Sequence, residues 1–117
     1  MQEEEEIKQR KKLKFLDEFK EKILSGEKTS TIRKGFVDKY EKGDIVDVIA
    51  GDETIGEAEI TEIKHLSFKE LTTEDAIQDG FKSKKELKKT LKKIYPDFKS
   101  TDEITKIEFV LKKRRMG

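Results

Sequence analysis

The spacing of apolar side chains differs between segments of this chain, and the first clear pattern is helical. Apolar residues between positions 15 and 23 fall on one helical face, and Gly26 follows where helices commonly end. The pattern predicts a helix over 16–25. The residues just before it, Leu13–Phe15, are typical of a short strand.

Alternating apolar residues predict strands in the middle and at the end of the chain. Ile45–Ala50 follows the turn signal Gly43-Asp44 and reads as one strand. Ile55–Ile63 alternates imperfectly, which predicts a strand with a bulge, and the two strands together predict an antiparallel meander. A final strand is expected over 104–111, and another is expected within 27–33.

Two capping boxes predict helices in the second half of the chain. Thr72 with Asp75 opens a short helix that Gly80 ends, and Ser83 with Glu86 opens a longer one that the single proline stops. The longer helix is expected to bury an apolar stripe formed by Leu87, Leu91 and Ile94. The element order β-α-β-β-β-α-α-β favours an α+β fold, a small mixed or antiparallel β-barrel with helices packed at its rim.

Composition places these elements in one small domain. The chain has 117 residues, 32% hydrophobic and 45% charged, enough for a single modest core. It divides into a charged tail over 1–12, a globular domain over 13–111 and a basic tail over 112–117. It has no cysteine, no apolar run of roughly 20 residues that could span a membrane, and an acidic N-terminus unlike a signal peptide. We therefore expect a cytoplasmic protein.

Charge gives no general argument for nucleic acid. Lys+Arg 27 against Asp+Glu 26 leaves a net charge of +1, so only local patches could attract RNA. The predicted helix after Ser83 carries such a patch, and the C-terminal tail carries another. The candidate contacts to an RNA backbone are Lys85, Lys89, Lys92 and Arg114.

The segment Gly26–Arg33 carries the most suggestive chemistry. It combines a glycine, a lone lysine, three consecutive hydroxyl residues and an arginine in the spacing G-x-K-x-x-x-x-R. A hydroxyl attacks an amide only if a base takes its proton, and a lysine can do so once its pKa is lowered. Arg33 is able to stabilise an oxyanion or to bind a phosphate.

This segment resembles the signature of the ASCH domain family, a branch of the PUA-like superfamily. The resemblance extends over about 13–111 and includes Ile23–Arg33, Tyr40 with Gly43-Asp44, and Asp79-Gly80-Phe81. It implies a PUA-like barrel with a cleft between barrel and helices that binds RNA or a nucleoside. The residues expected to bind the ligand there are Ser30, Arg33, Tyr40 and Phe81.

One branch of the family consists of small amidohydrolases that remove acetyl from N4-acetylcytidine. Their proposed machinery is a lysine, a threonine three residues later and a downstream carboxylate, roles that would fall here on Lys28, Thr31 and Asp79. The branch has glutamate at the last position, so the shorter Asp79 is a departure. Another family member has been described as a ribonuclease, so activity is not uniform in the family.

The spacing of Lys28 and Thr31 sets a geometric condition on this machinery. In a regular strand, side chains three residues apart point to opposite faces, because the period is two. The two side chains can meet only if Lys28 lies in a turn after Gly26 and the strand begins near Thr31.

Three functions therefore remain open. The leading hypothesis is a module that binds RNA or a modified nucleoside in a cleft around Gly26–Arg33, and the alternative is an N4-acetylcytidine amidohydrolase. The third is a protein-interaction domain without catalysis. His65 is the single histidine, which together with the lack of cysteine argues against a zinc site, so we expect no metal or cofactor. We also expect a monomer.

Overall fold

The structure is a computed structural model that describes residues 10–114. Five strands and three α-helices follow one another, with 3-10 turns at Asp17–Phe19 and Phe68–Glu70. The elements in chain order are β1 (Lys12–Phe15), α1 (Lys20–Ser25), β2 (Ser30–Lys34), β3 (Ile45–Ala50), β4 (Glu53–Ser67), α2 (Thr73–Gln78), α3 (Lys84–Ile94) and β5 (Glu103–Arg114).

The five strands form one mixed sheet in the order β1-β3-β4-β5-β2. Strand β1 pairs with β3 in parallel, whereas β3–β4, β4–β5 and β5–β2 are antiparallel. The sheet curls into a half-barrel, with β1 and β2 as its two edges. The predicted α+β, PUA-like fold is therefore confirmed, with an open sheet in place of a closed barrel.

Most predicted elements are confirmed. The helix over 16–25 is a 3-10 turn that leads into α1, and Gly26 ends it in the left-handed conformation at φ 85°. Strand β4 carries the expected irregularity, since its register with β5 shifts after Glu57 and again after Ile60. Its length was predicted too short, because β5 continues to pair with it as far as Ser67.

The core lies in the concave side of the sheet and beneath the helices. Val46, Val48 and Ala50 of β3 alternate inward and are fully buried, as the period of a strand requires. Leu87 and Leu91 of α3 are buried as predicted. Ile94 is different: it is 44% exposed because it lies at the edge of a cavity.

Ordered strands reach into both of the stretches described above as charged tails. Strand β1 includes Lys12, and Arg10 and Lys11 form ion pairs with β3 and the turn before it. Strand β5 continues through 112–114, because β4 pairs with it there. The rest of the predicted tails, 1–9 and 115–117, lies outside the described residues.

Candidate functional site

A cavity of about 420 Å³ opens between edge strands β1 and β2 and helix α3. Phe15, Phe19 and Phe81 contribute apolar walls, and the inward face of α3 forms the opposite side. Polar side chains from several elements also line it, and four of them carry the candidate chemistry. These are Lys28, Thr31, Arg33 and Asp79.

Lys28 enters the cavity because the chain turns just before it. Gly26 adopts the left-handed conformation that ends α1, Glu27 forms a bend, and strand β2 begins only at Ser30. The amide of Lys28 donates to the carbonyl of Lys22 at 2.9 Å, which fixes the turn to α1. The side chain is consequently directed inward and is 3% exposed.

Asp79 is held at the C-terminal end of α2. The capping box of Thr72 and Asp75 begins this helix, and Thr29 donates its amide to the carbonyl of Gln78 at 2.7 Å. That bond joins the start of β2 to the end of α2. Gly80 at φ 90° then turns the chain away, so that the Asp79 carboxyl stays buried beside β2.

Lys28 and Asp79 form a buried ion pair. The ammonium of Lys28 donates to Asp79 Oδ1 at 2.8 Å and to the main-chain carbonyl of Asp79 at 2.9 Å. Burial lowers the pKa of Lys28 and is only partly offset by Asp79, while burial raises the pKa of Asp79 to about 6 against the opposing charge of Lys28. Both shifts reduce the free-energy difference between the ion pair and the neutral pair in which Asp79 holds the proton.

Aromatic rings surround the Lys28 ammonium. Its Nζ lies 4.8 Å from the ring centroid of Phe19, 5.6 Å from that of Phe81 and 5.8 Å from that of Phe15. Ring faces attract a cation, yet they provide no acceptor for a third hydrogen bond. The rings thus keep water from the amine, and one of its three protons has no acceptor among residues 10–114.

Thr31 and Arg33 form the second polar pair of the cavity. They share one face of β2, and Arg33 Nε donates to Thr31 Oγ1 at 2.9 Å. Arg33 Nη2 also donates to the carbonyl of Lys14 on β1 at 2.6 Å. Burial lowers the pKa of Arg33, and within residues 10–114 no carboxylate lies within 4.0 Å of its guanidinium. This cation is therefore available to an anionic ligand.

The geometric condition on Lys28 and Thr31 is met. Lys28 precedes the strand, and both side chains line one cavity. In the part of the chain that the structure describes, they are not hydrogen-bonded to each other, because Lys28 is engaged by Asp79 and Thr31 by Arg33.

Comparison with known proteins agrees with this architecture. The sequence model of the ASCH domain family matches residues 6–113, almost the whole chain. The chain belongs to the ASCH domain family. It is 30% identical over 102 residues to an N(4)-acetylcytidine amidohydrolase from Shewanella sp. (strain MR-4), a match that covers 86% of this chain and 95% of that protein.

Solved ASCH structures share the fold at low sequence identity. An ASCH domain from Lactobacillus crispatus matches with a TM-score of 0.71 at 16% identity, covering 86% of this chain and 79% of that one. A mutant ASCH protein from Zymomonas mobilis matches with a TM-score of 0.65 at 17% identity, covering 89% and 71%. These likenesses establish the PUA-like fold of this ASCH domain.

The other predicted ligand contacts take different positions. Phe81 lines the cavity. Ser30 is buried behind Asp79, with its Oγ 3.5 Å from Asp79 Oδ1, and supports the carboxyl from outside the cavity. Tyr40 lies away from the main cavity, and its hydroxyl donates to the carbonyl of Lys12 at 2.5 Å.

The predicted RNA-backbone contacts are not brought together with this site. Lys85, Lys89 and Lys92 are exposed on the face of α3 opposite Leu87 and its neighbours that line the cavity. Arg114 instead donates to the carbonyl of Leu24 at the far end of the sheet.

Sequence reasoning missed several residues of the cavity. Lys14, Leu16 and Tyr95 line it, although the sequence analysis predicted no site role for them. Leu16 is half exposed, and a large apolar side chain that remains exposed beside a strand is a weak signal for a site. Among residues 10–114, no group of His, Cys, Asp and Glu could hold a metal ion, and no helix is long and apolar enough to cross a membrane.

Proposed function

We propose that this ASCH domain is an amidohydrolase that removes the acyl group from an acylated nucleoside of the N4-acetylcytidine type. The observation that carries the proposal is the buried Lys28–Asp79 pair facing a cavity that Thr31 also lines. The amidohydrolase from Shewanella supports it, since the match covers nearly all of both chains.

The cavity suits a nucleoside. Its volume of about 420 Å³ falls within the range of about 300–1,000 Å³ typical of small-molecule sites. Phe15, Phe19 and Phe81 offer apolar faces to a base, and Arg33 with Thr31 offers polar partners on one side. Binding of a nucleoside is thus the first step of the proposed reaction.

The chemistry assigns one role to each polar residue. Thr31 Oγ attacks the acyl carbonyl carbon, and its proton passes to the neutral amine of Lys28. Collapse of the tetrahedral intermediate breaks the carbon–nitrogen bond, and the Lys28 ammonium returns the proton to the departing base nitrogen. Water then hydrolyses the acyl-threonine, with Lys28 again as base, which releases the acid and regenerates Thr31.

Asp79 and Arg33 make these steps accessible. The opposite pKa shifts of Lys28 and Asp79 allow the carboxyl to hold the proton while the amine is neutral. Arg33 stabilises negative charge that develops on Thr31 Oγ or on the carbonyl oxygen. Lys28 must exchange its contact with Asp79 for one with Thr31, directly or through a water, during the reaction.

A nucleoside-binding module without catalysis is the second candidate. It is favoured by the resting contacts, in which Thr31 accepts from Arg33 and Lys28 donates to Asp79. A ligand that only binds leaves both of these contacts in place, whereas catalysis requires Lys28 to change its partner.

One assay separates the two candidates. The native protein is incubated with N4-acetylcytidine, and the release of cytidine and acetate is followed. We expect turnover that Thr31→Ala and Lys28→Met abolish and that Thr29→Ala preserves, because Thr29 lies outside the cavity. Absence of turnover with measurable binding of the nucleoside favours the binding module, and full activity of Thr31→Ala overturns the proposed mechanism.

A further inference from the structure

A second cavity of about 360 Å³ adjoins the main cavity on the other side of Arg33. It lies over edge strand β1 and the loop between β2 and β3. Five of its six lining residues are cations: Arg10, Lys12, Lys14, Arg33, Lys39 and Tyr40 line it. Lys14 and Arg33 line both cavities, so the two spaces adjoin at these side chains.

The cations of this basic cavity are poorly neutralised. Arg10 is engaged with Asp47 at 3.2 Å and with Glu57 at 2.9 Å. Across residues 10–114, by contrast, no carboxylate lies within 4.0 Å of the amines of Lys12, Lys14 or Lys39.

The backbone places these lysines together. In β1, Leu13 and Phe15 point into the core, so Lys12 and Lys14 point to the same outer face. Tyr40 fixes the neighbouring loop, since its hydroxyl donates to the carbonyl of Lys12 at 2.5 Å. The Nζ of Lys39 lies 5.5 Å from the Tyr40 ring centroid, so the loop lysine projects toward the same space.

Arg33 determines how the two cavities relate. Its Nε donates to Thr31 in the main cavity, and its Nη2 donates to the carbonyl of Lys14, a residue that also lines the basic cavity. A planar guanidinium without a carboxylate partner suits a phosphate oxygen. A ligand whose base occupies the main cavity would carry its sugar past Arg33 and place a phosphate among the lysines.

We propose that the two cavities form one bipartite site, in which the main cavity takes the base and the basic cavity takes a phosphate of the same ligand. The preferred ligand is then a phosphorylated nucleoside or a nucleotide within RNA, more than the free nucleoside. This inference rests on the proposed function for the occupant of the main cavity. The lysines of α3 are less suited to this task, because they face away from Arg33.

The test compares ligands that differ only in phosphate. Binding of cytidine, cytidine 5′-monophosphate, cytidine 3′-monophosphate and a cytidine hexaribonucleotide to the native protein is measured by calorimetry at low and moderate salt. Cytidine carries no acyl group, so turnover does not interfere. We expect a phosphate to tighten binding about tenfold at low salt, with a gain that shrinks as salt rises.

Matched double variants locate the effect. In Lys12→Ala/Lys39→Ala the phosphate gain is expected to disappear while cytidine binds within about twofold of native, since neither lysine lines the main cavity. The control Lys69→Ala/Lys93→Ala removes the same charge from exposed positions elsewhere and is expected to keep the gain. Ribose 5-phosphate, which has no base, probes the basic cavity alone and is expected to lose binding in the first variant only.

The outcomes distinguish failure of the bipartite site from failure of the proposed function. A gain from a monophosphate identifies a mononucleotide ligand, a gain from the hexaribonucleotide alone identifies RNA, and both support the bipartite site. If cytidine binds as tightly as each of the phosphorylated ligands, the bipartite site is overturned and the proposed function stands. Cytidine that does not bind, with ribose 5-phosphate held by Lys12 and Lys39, leaves the main cavity without a base and overturns both the proposed function and the bipartite site that rests on it. A gain lost in Lys85→Ala/Lys89→Ala and kept in Lys12→Ala/Lys39→Ala also overturns the bipartite site.

Discussion

The ammonium of Lys28 lies 2.8 Å from Asp79 Oδ1, although 51 positions separate the two residues in the chain. Each is only 3% exposed, so the pair is removed from water. Desolvation disfavours both charges, whereas their mutual attraction favours them. The balance between these effects underlies the stability, the pH response and the proposed chemistry of the site.

Removing one partner of this pair is expected to destabilise the protein strongly. Asp79→Leu leaves a buried ammonium without its carboxylate, which costs about 3–5 kcal/mol of the free energy of unfolding. The double variant Lys28→Met/Asp79→Leu is expected to recover most of that loss, because no uncompensated charge remains. Urea denaturation of the native protein and both variants measures the effect.

The control is a solvent-exposed ion pair with the same distance between nitrogen and oxygen. Lys20 lies 2.8 Å from Glu53, yet both side chains are in contact with solvent, so Lys20→Met is expected to leave the urea midpoint nearly unchanged. Equal losses from Asp79→Leu and Lys20→Met would show that burial does not set the strength of the Lys28–Asp79 pair.

Asp79 is expected to make stability fall as the pH rises from about 4 to about 6. Burial raises the pKa of Asp79 from 3.8 to about 6 in the folded chain, so the folded state holds this proton more tightly than the unfolded state does. The contribution is full below pH 4 and is lost above pH 6. The rise in the pKa of Asp79 from 3.8 to about 6 corresponds to about 3 kcal/mol of the free energy of unfolding. The difference in unfolding free energy between the native protein and Asp79→Asn, measured over this range, isolates it.

Carboxyl signals in carbon-13 spectra provide the direct check. Asp79 should titrate with a midpoint near 6. Asp44 is the internal reference, because its hydrogen bond from Lys11 lowers the pKa of that carboxyl below its ordinary value. Asp79 and Asp44 titrating together below pH 4 would contradict the prediction.

Arg33→Lys is expected to impair the site even though it keeps the charge. Lysine cannot reach Thr31 Oγ1 and the carbonyl of Lys14 together, because it lacks the planar fork of a guanidinium. We expect kcat for N4-acetylcytidine to fall about 10²–10³-fold, as when a donor to a developing oxyanion is removed. Steady-state kinetics measure kcat and KM, and Lys34→Ala on the same strand serves as control. A kcat within threefold of native would exclude this role for Arg33.

Gly80→Ala is expected to disturb Lys28 in addition to straining the backbone. Gly80 and Gly43 both have positive φ, 90° and 98°, so alanine at either position costs about 1–2 kcal/mol. Only at Gly80 would the new Cβ approach Lys28 Cβ, at 3.3 Å, whereas the space around Gly43 is open. The midpoint temperature of thermal unfolding should fall by a similar amount in both variants. Turnover of N4-acetylcytidine should fall only in Gly80→Ala. Equal turnover in the two would contradict this packing argument.

Local signals in the sequence predicted the local structure well. Gly26 ends α1, and the capping box of Thr72 and Asp75 begins α2, because each is determined by hydrogen bonds within a few residues. The length of β4 was underestimated, since Lys64 and His65 carry no apolar signal and their strand conformation comes from pairing with β5.

Contacts distant in sequence could not be predicted in the same way. The parallel pairing of β1 with β3 joins Lys12 to Asp47, and no local pattern specifies such a partner. The roles of Lys28 and Asp79 came from the family resemblance, and the sequence alone did not show that they touch. Lys14 reads as an ordinary exposed strand lysine, and only the curl of the sheet brings its carbonyl to Arg33.

The hydrogen bond from Arg33 to the Lys14 carbonyl has a consequence for the size of ligand that the domain admits. Strands β1 and β2 are the two edges of the half-barrel, and this side chain spans the seam where no main-chain ladder joins them. Parting the seam leaves every strand pairing intact, but it breaks this charge-assisted bond, about 1.5–3 kcal/mol, and separates Arg33 from the Phe15 ring. A polymer chain could enter sideways through that seam, whereas a closed barrel would accept only ligands threaded from an end.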